Sequence, residues 1–394
     1  MCVIIKECVV SMNYKKLGDY ITQRREKNTT INLPICGVCR EGLIPPKQQD
    51  ADISLYNVFY KNDFIFNPAR MELNSITLNT EYDKAICSSL YEIFYINDTS
   101  KLLPEFLFVQ LKTDNFVRFC EFQGQGSVRE YCRFANISEY PVIVPDLKEQ
   151  EKIVNTYNAI TKRIQLKQKI NENLEKTAQC LFEKYFDEYN KFYEKEELKT
   201  LPSGWKYSII GDFCKDNIKS LSSSDKLKEI LYLDTGNITN NKIEELKTIT
   251  EKEGFPSRAK RIVYDNDIVF STVRPNLQHY GIIRKPAKNM IVSTGFSVLH
   301  NNSDRVSNEF LYMWITNDAT LSFLQSIAEN SVSTYPSINS DDLMNIKIII
   351  PSDNILSELN EGFRKIFLMI DYNNQEITKL QNLKQLVISQ ISTR

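Results

Sequence analysis

The feature that most limits how this chain can fold is that it carries itself twice. Asp63-Phe64-Ile65-Phe66, followed by Arg70, returns as Asp267-Ile268-Val269-Phe270, followed by Arg274. Glu105-Phe106-Leu107 returns as Glu309-Phe310-Leu311, and both echoes lie 204 residues downstream. Val142-Ile143-Val144-Pro145 returns as Ile348-Ile349-Ile350-Pro351 with two residues of drift. A period this long exceeds any solenoid repeat and marks two copies of a whole domain. The first eleven residues have no counterpart, whereas Tyr14 to Asp19 approximately follows Trp205 to Asp212, so Met12 is an expected start.

Each copy is followed by a helical pattern. Ile153, Tyr157, Ile160, Ile164, Lys167, Asn171, Leu174, Ala178, Leu181 and Tyr185 step by four and three. So do Leu359, Phe363, Ile366, Ile370, Asn373, Ile377, Leu380, Lys384, Val387 and Ile391. This is heptad spacing. No proline or glycine falls between Pro145 and Pro202. Either helix alone exposes an apolar stripe on the order of 60 Å long, at about 1.5 Å per residue. Pairing the two hides both stripes, with Lys167, Asn171, Asn373 and Lys384 fixing register. A partner helix from another chain would give the same pattern, and a long helix packed on its own globular domain is the competing reading of each run. The expected seam sets Ile153, Ile160, Ile164, Leu174 and Leu181 against Phe363, Ile366, Ile370, Ile377 and Leu380.

The expected fold class is α+β: two similar mixed α/β domains separated by two long helices that form an antiparallel coiled coil, a pseudo-twofold internal repeat. Domain boundaries are expected at 13–146 and 198–353, with the helices at 147–197 and 354–394. In the first copy, Ile35 to Val38, Ile53 to Tyr60 and Ser89 to Ile96 predict strands. Leu102 to Phe119 predicts a helix, and Val142 to Pro145 a short strand closed by proline. In the second, strands are predicted at Ile230 to Asp234, Asp267 to Thr272, Ile291 to Leu299 and Ile346 to Ile350, and a helix over Phe310 to Ile327.

Hydrophobic residues make up 42% of the chain and charged residues 25%, enough for two cores. No apolar run approaches the roughly 20 residues that span a bilayer, so no membrane contact is expected. A net charge of −1 removes any global basic footprint, and nucleic-acid contact must rest on local charge. Nine cysteines without a secretory signal fit a reducing, cytoplasmic setting.

Catalytic signatures are weak. Phe122-Gln123-Gly124-Gln125-Gly126 has the look of a glycine loop, yet the stretch before it reads as helix and no Asn-Pro-Pro-Tyr exists to hold a target amine. Cys36-Gly37-Val38-Cys39 is half a zinc knuckle with no second half. His279 and His300 are the only histidines, and no P-loop occurs. No catalytic residue, metal or cofactor is expected.

What remains suits recognition. Ser271 to Tyr280 offers the Arg274 fork, the Asn276 and Gln278 amides and the His279 ring. Guanidinium can bind guanine bidentately and amides can bind adenine, in a major groove. Lys260, Arg261, Arg284, Lys285 and Lys288 flank this stretch as candidate phosphate contacts. Arg70 and Asn74 stand in the matching stretch of the first copy, and Gln125, Arg129 and Arg133 form another polar cluster. Tyr335 completes the candidate DNA-binding set. Because Arg70 and Arg274 share a repeat position, a scaffold role such as holding a turn or a carboxylate competes with base reading.

The pattern resembles the specificity (S) subunit of a type I restriction-modification system. The carriers are Leu201-Pro202-Ser203-Gly204-Trp205 opening a domain, Asp267 to Phe270 before Arg274, Ser293-Thr294-Gly295-Phe296, Thr334 to Asn339, and the Ile348 to Pro351 strand leading into a helix. The resemblance covers nearly the whole chain from Tyr14, with weaker equivalents in the first half. It implies two target-recognition domains, each reading half of a split double-stranded DNA site. It implies that the paired helices act as a ruler and bind two adenine-methyltransferase subunits. Restriction subunits would complete a cleaving complex, and the S subunit itself would catalyse nothing. The near-neutral charge departs from the pattern and suggests that partners supply much of the phosphate-binding charge. Two readings compete: a stand-alone methyltransferase or nuclease, and a coiled-coil scaffold that binds no DNA.

Overall fold

One turn shows how literally the chain repeats. Asn62 and Asn266 both adopt the left-handed backbone (φ 67° and 71°), which asparagine tolerates better than most residues. The next residue, Asp63 or Asp267, is buried and accepts a backbone N–H from Tyr60 or Tyr264, at 2.7 Å in both copies. Burial pushes both carboxyls up from the usual range. Only the side-chain partner differs. Asp63 takes two bonds from Arg24 (2.6 and 3.0 Å), and Asp267 takes one from His300 (2.7 Å).

The computed structural model describes residues 15–30, 32–40, 42–46, 52–124, 131–189, 200–222, 225–331 and 336–393. In the first domain, Ile21–Arg24, Glu92–Ile96, Phe64–Phe66 and Ile76–Leu78 form an antiparallel sheet in that order. In the second, Cys214–Asp216, Phe296–Asn301, Ile268–Ser271 and Tyr280–Ile282 repeat it. A second sheet is repeated too. Leu43–Ile44, Ile35–Val38, Lys84–Cys87 and Asn57–Tyr60 correspond to Lys247–Thr250, Glu229–Leu233, Met290–Ser293 and Ala259–Ile262, with the central pair parallel in both. A two-stranded ladder closes each copy, Lys15–Lys16 with Pro141–Val142 and Lys206–Ile209 with Lys347–Ile350. Phe64, Phe66 and Phe94 centre the first core, and Phe270, Phe310 and Trp314 the second.

Several expected boundaries move. Leu102 to Phe119 is two helices, Pro104–Leu111 and Asp114–Gly124, and Phe310 to Ile327 is Asn308–Thr316 and Asp318–Glu329. Asn317 makes the second break: its side chain accepts from Thr320 N–H and donates to the Trp314 carbonyl. Apolar spacing runs through such a kink when both helices bury the same face, so periodicity missed it. Ile291 to Leu299 is two strands in different sheets, joined at Thr294-Gly295. A Cβ on Gly295 would stand 2.8 Å from the Thr235 methyl, so the crossing needs glycine. Ile53–Leu55 is a 3-10 turn capped by Asp52, and pairing starts at Asn57. Pairing of Ser89 to Ile96 starts only at Glu92, and the Val142 to Pro145 strand ends at Val142.

Two long helices, Leu147–Phe186 and Asp353–Thr393, follow the domains. By contacts the chain divides into Met1–Leu166 with Glu376–Arg394, and Lys167–Gln375, so each helix contributes to both units. In the first unit Ile160 and Ile164 pack with Ile377, and Leu380 and Val387 lie against them. Arg163 bonds Glu376 at 2.7 Å, and the Lys384 ammonium stands 4.4 Å from the Tyr157 ring centre. Val154, Tyr157 and Ile388 join the first domain's core, with half-buried Ile153 against it. In the second unit, Lys167 donates to Asn373 (2.9 Å), Asn373 to Asn171 (2.7 Å) and Asn171 to Asn374 (2.8 Å). Partner numbers fall as first-helix numbers rise, so within each unit the helices run antiparallel. Leu181 lies against Gly362, where an added Cβ would stand 3.2 Å from it. Ile370 is buried and Leu174 half-buried. Ala178, Phe182 and Phe186 turn instead into the second domain's core, with Phe363, Phe367 and, at its margin, Ile366. Helix pairing and docking onto the globular domain thus share the same two helices.

The polar break gives a first prediction. Asn171 and Asn373 are 8% and 5% exposed, so removing Asn373 leaves the Asn171 side-chain oxygen without its donor. Asn373→Leu alone is expected to cost about 1–3 kcal/mol, and adding Asn171→Leu is expected to recover much of it. Chemical denaturation checks this; equal stability of wild type and the single variant would count against a buried, satisfied pair.

Candidate nucleic-acid interface

The expected reading residues separate into exposed and structural ones. In the second domain the strand Ile268–Ser271 runs into a loop held from behind. Thr272 N–H donates to the Gly295 carbonyl, Arg274 N–H to the Pro336 carbonyl and Ile338 N–H to the Thr272 carbonyl, each at 2.9 Å. Arg274 has φ 50°, a left-handed backbone that a non-glycine residue adopts only where surroundings fix it. Its side chain is exposed, as is that of Asn276, whose N–H donates to Gln325 at 3.2 Å. His279 is half-buried. Its Nδ1 lies 2.7 Å from the Ile238 carbonyl, which can only accept, so Nδ1 carries a proton.

Gln278 is exposed but lines a cleft whose other walls carry Glu172, Glu175, Glu183 and Asp318. Phosphate beside that ring would be repelled, so Gln278 is a poor base reader. Of the flanking bases, Arg284 is paired and Arg261 is partly withdrawn from solvent. Arg284 bonds Glu309 at 2.6 Å and also Asn266, and Arg261 is half-buried, its pKa lowered by burial. Lys260, Lys285 and Lys288 are exposed.

In the first domain Arg70 is exposed on the 3-10 turn Pro68–Leu73. Among the described residues its guanidinium makes no hydrogen bond or ion pair, which weakens the scaffold reading for it. It lines a cleft of about 710 Å³ with Arg40, Asn67, Tyr56 and Tyr91. Sequence reading missed Arg40 and both tyrosines, because the sheet brings them together from segments that look unremarkable singly. Asn74 is a correction: it is 2% exposed, left-handed at φ 53°, and its amide donates to the Leu111 carbonyl at 2.7 Å. That amide secures the end of a helix and cannot reach a base. Arg133 is exposed, 3.4 Å from Glu92 and over the Tyr131 ring. Gln125, Arg129 and Tyr335 lie outside the described residues.

Arg70 and Arg274 occupy one repeat position with different backbones. Arg70 sits inside its turn (φ −139°), and Arg274 precedes its turn. The scaffold repeats up to this point and diverges at the exposed loop. Among the described residues no cluster of His, Cys, Asp or Glu is arranged to hold a metal. Cys36 is buried in its strand, which pushes its thiol up to about 11, and burial holds Cys214 at about 12. Among the described residues no helix is long and apolar enough to cross a membrane.

Comparison with known proteins adds what geometry alone does not. The family described as type I restriction modification DNA specificity domain matches residues 20–176 and again 202–382. The specificity subunit of the type I restriction enzyme HindI of Haemophilus influenzae is 26% identical over 183 residues, which is 46% of this chain and 39% of that protein. That of MjaIX, from Methanocaldococcus jannaschii, is 23% identical over 306 residues, 74% of this chain and 68% of its own. The match therefore spans well under half of the first relative and about two thirds of the second. A crystal structure of the S subunit of a type I system from M. genitalium shares the fold, with a TM-score of 0.60 at 14% identity and coverage of 98% and 97%.

The division between surface and scaffold is testable. Asn74→Ala should lower unfolding free energy by about 1–3 kcal/mol, since it strands a buried carbonyl, while Arg70→Ala should stay within about 0.5 kcal/mol of wild type. Urea titration of the two variants reads the difference, and the reverse ranking would refute the assignment.

Proposed function

The chain belongs to the type I restriction modification DNA specificity family, and on that premise we propose that it is the non-catalytic reading subunit of such a system. It binds a split double-stranded DNA site and positions two adenine-methyltransferase subunits, with restriction subunits joining where the system cleaves. The observation that carries this reading is one strand order built twice, with exposed polar residues that differ between copies. A shared scaffold with divergent loops is what two related but unequal half-sites require.

The first head reads with Arg70 and Arg133, beside Arg40, Tyr56 and Tyr91. The second reads with Arg274, Asn276 and His279, and Lys260, Lys285 and Lys288 contact phosphate. Gln125, Arg129 and Tyr335 belong to the same sets by sequence position. Each bidentate base contact contributes about 1–3 kcal/mol, so one head alone binds weakly. Joining two heads makes the second contact intramolecular and lifts affinity without new contacts. The unbroken helix of 40 residues supports a ruler that sets the half-site spacing. Reaction chemistry comes from the partner subunits, and the assembly works in the cytoplasm.

Removing one heptad from each long helix should shorten the gap between half-sites by about three base pairs, at 1.5 Å per residue and about 3.4 Å per base pair. The half-site bases should stay the same. Methylation mapping in cells that supply the methyltransferase reads both at once. New half-site bases with an unchanged gap would sink the ruler, and methyl transfer by the purified chain alone would make it an enzyme.

A further inference from the structure

The repeat supplies its own control for one unexplained feature, the acidic cleft in the second unit. This cleft, about 590 Å³, lies between the first long helix and the second domain. Glu172, Glu175, Glu183, Asp187 and Asp318 line it against a single base, Lys176. Two tyrosines, Tyr280 and Tyr312, also line it and are 3% and 4% exposed. Among the described residues neither hydroxyl has a hydrogen-bond partner in the protein, and both side chains line the cleft, so each hydroxyl is left for an occupant of the cleft to engage. Burial and the nearby Glu175 push both phenols up, so they stay protonated donors and acceptors. Glu175 is itself half-buried, its carboxyl raised by burial and by Glu172.

The first copy treats the same place differently. Counting back by the repeat, Tyr280 corresponds to Ile76, Tyr312 to Phe108 and Thr316 to Lys112. The Lys112 ammonium donates to the Ile76 and Arg40 carbonyls, both at 2.7 Å, and stands 5.0 Å from the Phe108 ring centre. The first copy thus places its own cation there, over an aromatic ring. The second copy has a threonine at that position, two extra hydroxyls and a ring of carboxylates. Since the first copy folds without these groups, the shared scaffold does not require them. Their chemistry, carboxylates plus phenol oxygens over an apolar floor of Phe182, Met313 and Phe367, fits a guanidinium on an apolar stem.

We propose that this cleft is a docking site for an arginine side chain of a protein partner. Nucleic acid is excluded as the occupant by the carboxylate ring, which would repel phosphate. The partner is one component of the assembly proposed above, and the assignment rests on that reading. The test needs neither DNA nor a methyltransferase, so the two can fail separately.

The probe is a fluorescein-labelled hexapeptide, Ala-Arg-Ala-Ala-Arg-Ala, titrated onto the full chain, with the lysine version alongside. Glu175→Gln with Asp318→Asn should weaken arginine-peptide binding about tenfold, as expected for loss of charge-assisted hydrogen bonds. Tyr312→Phe should narrow the preference for arginine over lysine. Thr316→Lys, which imports the first copy's solution, should abolish binding and raise the melting temperature. Thermal melts establish that each variant folds, and the Thr316→Lys arm does not depend on removing any buried group. As a control, Glu251→Gln with Glu253→Gln, exposed acids outside the cleft, should leave binding unchanged. The proposal is overturned if this control pair weakens binding as much as the cleft pair, if Thr316→Lys binds like wild type, or if duplex DNA displaces the peptide.

Discussion

An apolar stripe tens of ångströms long has to be covered, and in this chain that requirement organises everything else. Each long helix covers the other along part of its length and is covered by a globular domain along the rest. Ile160, Ile164 and Ile377 meet in a helix–helix seam, while Phe182 and Phe186 leave it to pack on Trp314. Between these stretches the seam turns polar, and Lys167, Asn171, Asn373 and Asn374 satisfy one another. A hydrophobic seam alone tolerates sliding by a heptad. A buried amide that must meet its partner does not, so the polar residues trade some stability for one register.

The domains apply the same economy. A single strand order, repeated, supplies two platforms, and the buried Asp63 and Asp267 turns anchor corresponding strands in each. On this shared scaffold the copies diverge in the exposed loop and around the acidic cleft. Arg70 and Arg274 diverge in backbone although their sequence positions agree. The cleft around Tyr312 diverges in charge although its counterpart around Phe108 keeps the same helix. Conserved burial with variable surface is how one fold comes to bind two different things.

Much of this was legible in the sequence because it rests on burial and periodicity. The repeat, the helix stripes and the polar interruptions at Lys167, Asn171 and Asn373 all leave spacing in the chain. The kink at Asn317 left none, because helices on both sides bury one face. The strand break at Gly295 was hidden inside an apolar run that serves two sheets in succession. Site residues were the least legible. Whether Asn74 faces solvent or the Leu111 carbonyl depends on a left-handed turn that composition does not encode. Gln278 reads as a base-binding amide until the folded chain sets Glu172 and Glu175 beside it. Arg40, Tyr56 and Tyr91 come together only through strand pairing.

The central claim is that each copy reads its own half of the target, independently of the other. Replacing residues 202–351 with a second copy of the first domain tests it most directly, with the long helices kept and the modified bases mapped in cells that supply a methyltransferase. The account predicts a target whose two halves carry the same bases, those formerly read by the first domain. A target that keeps its original second half would contradict it.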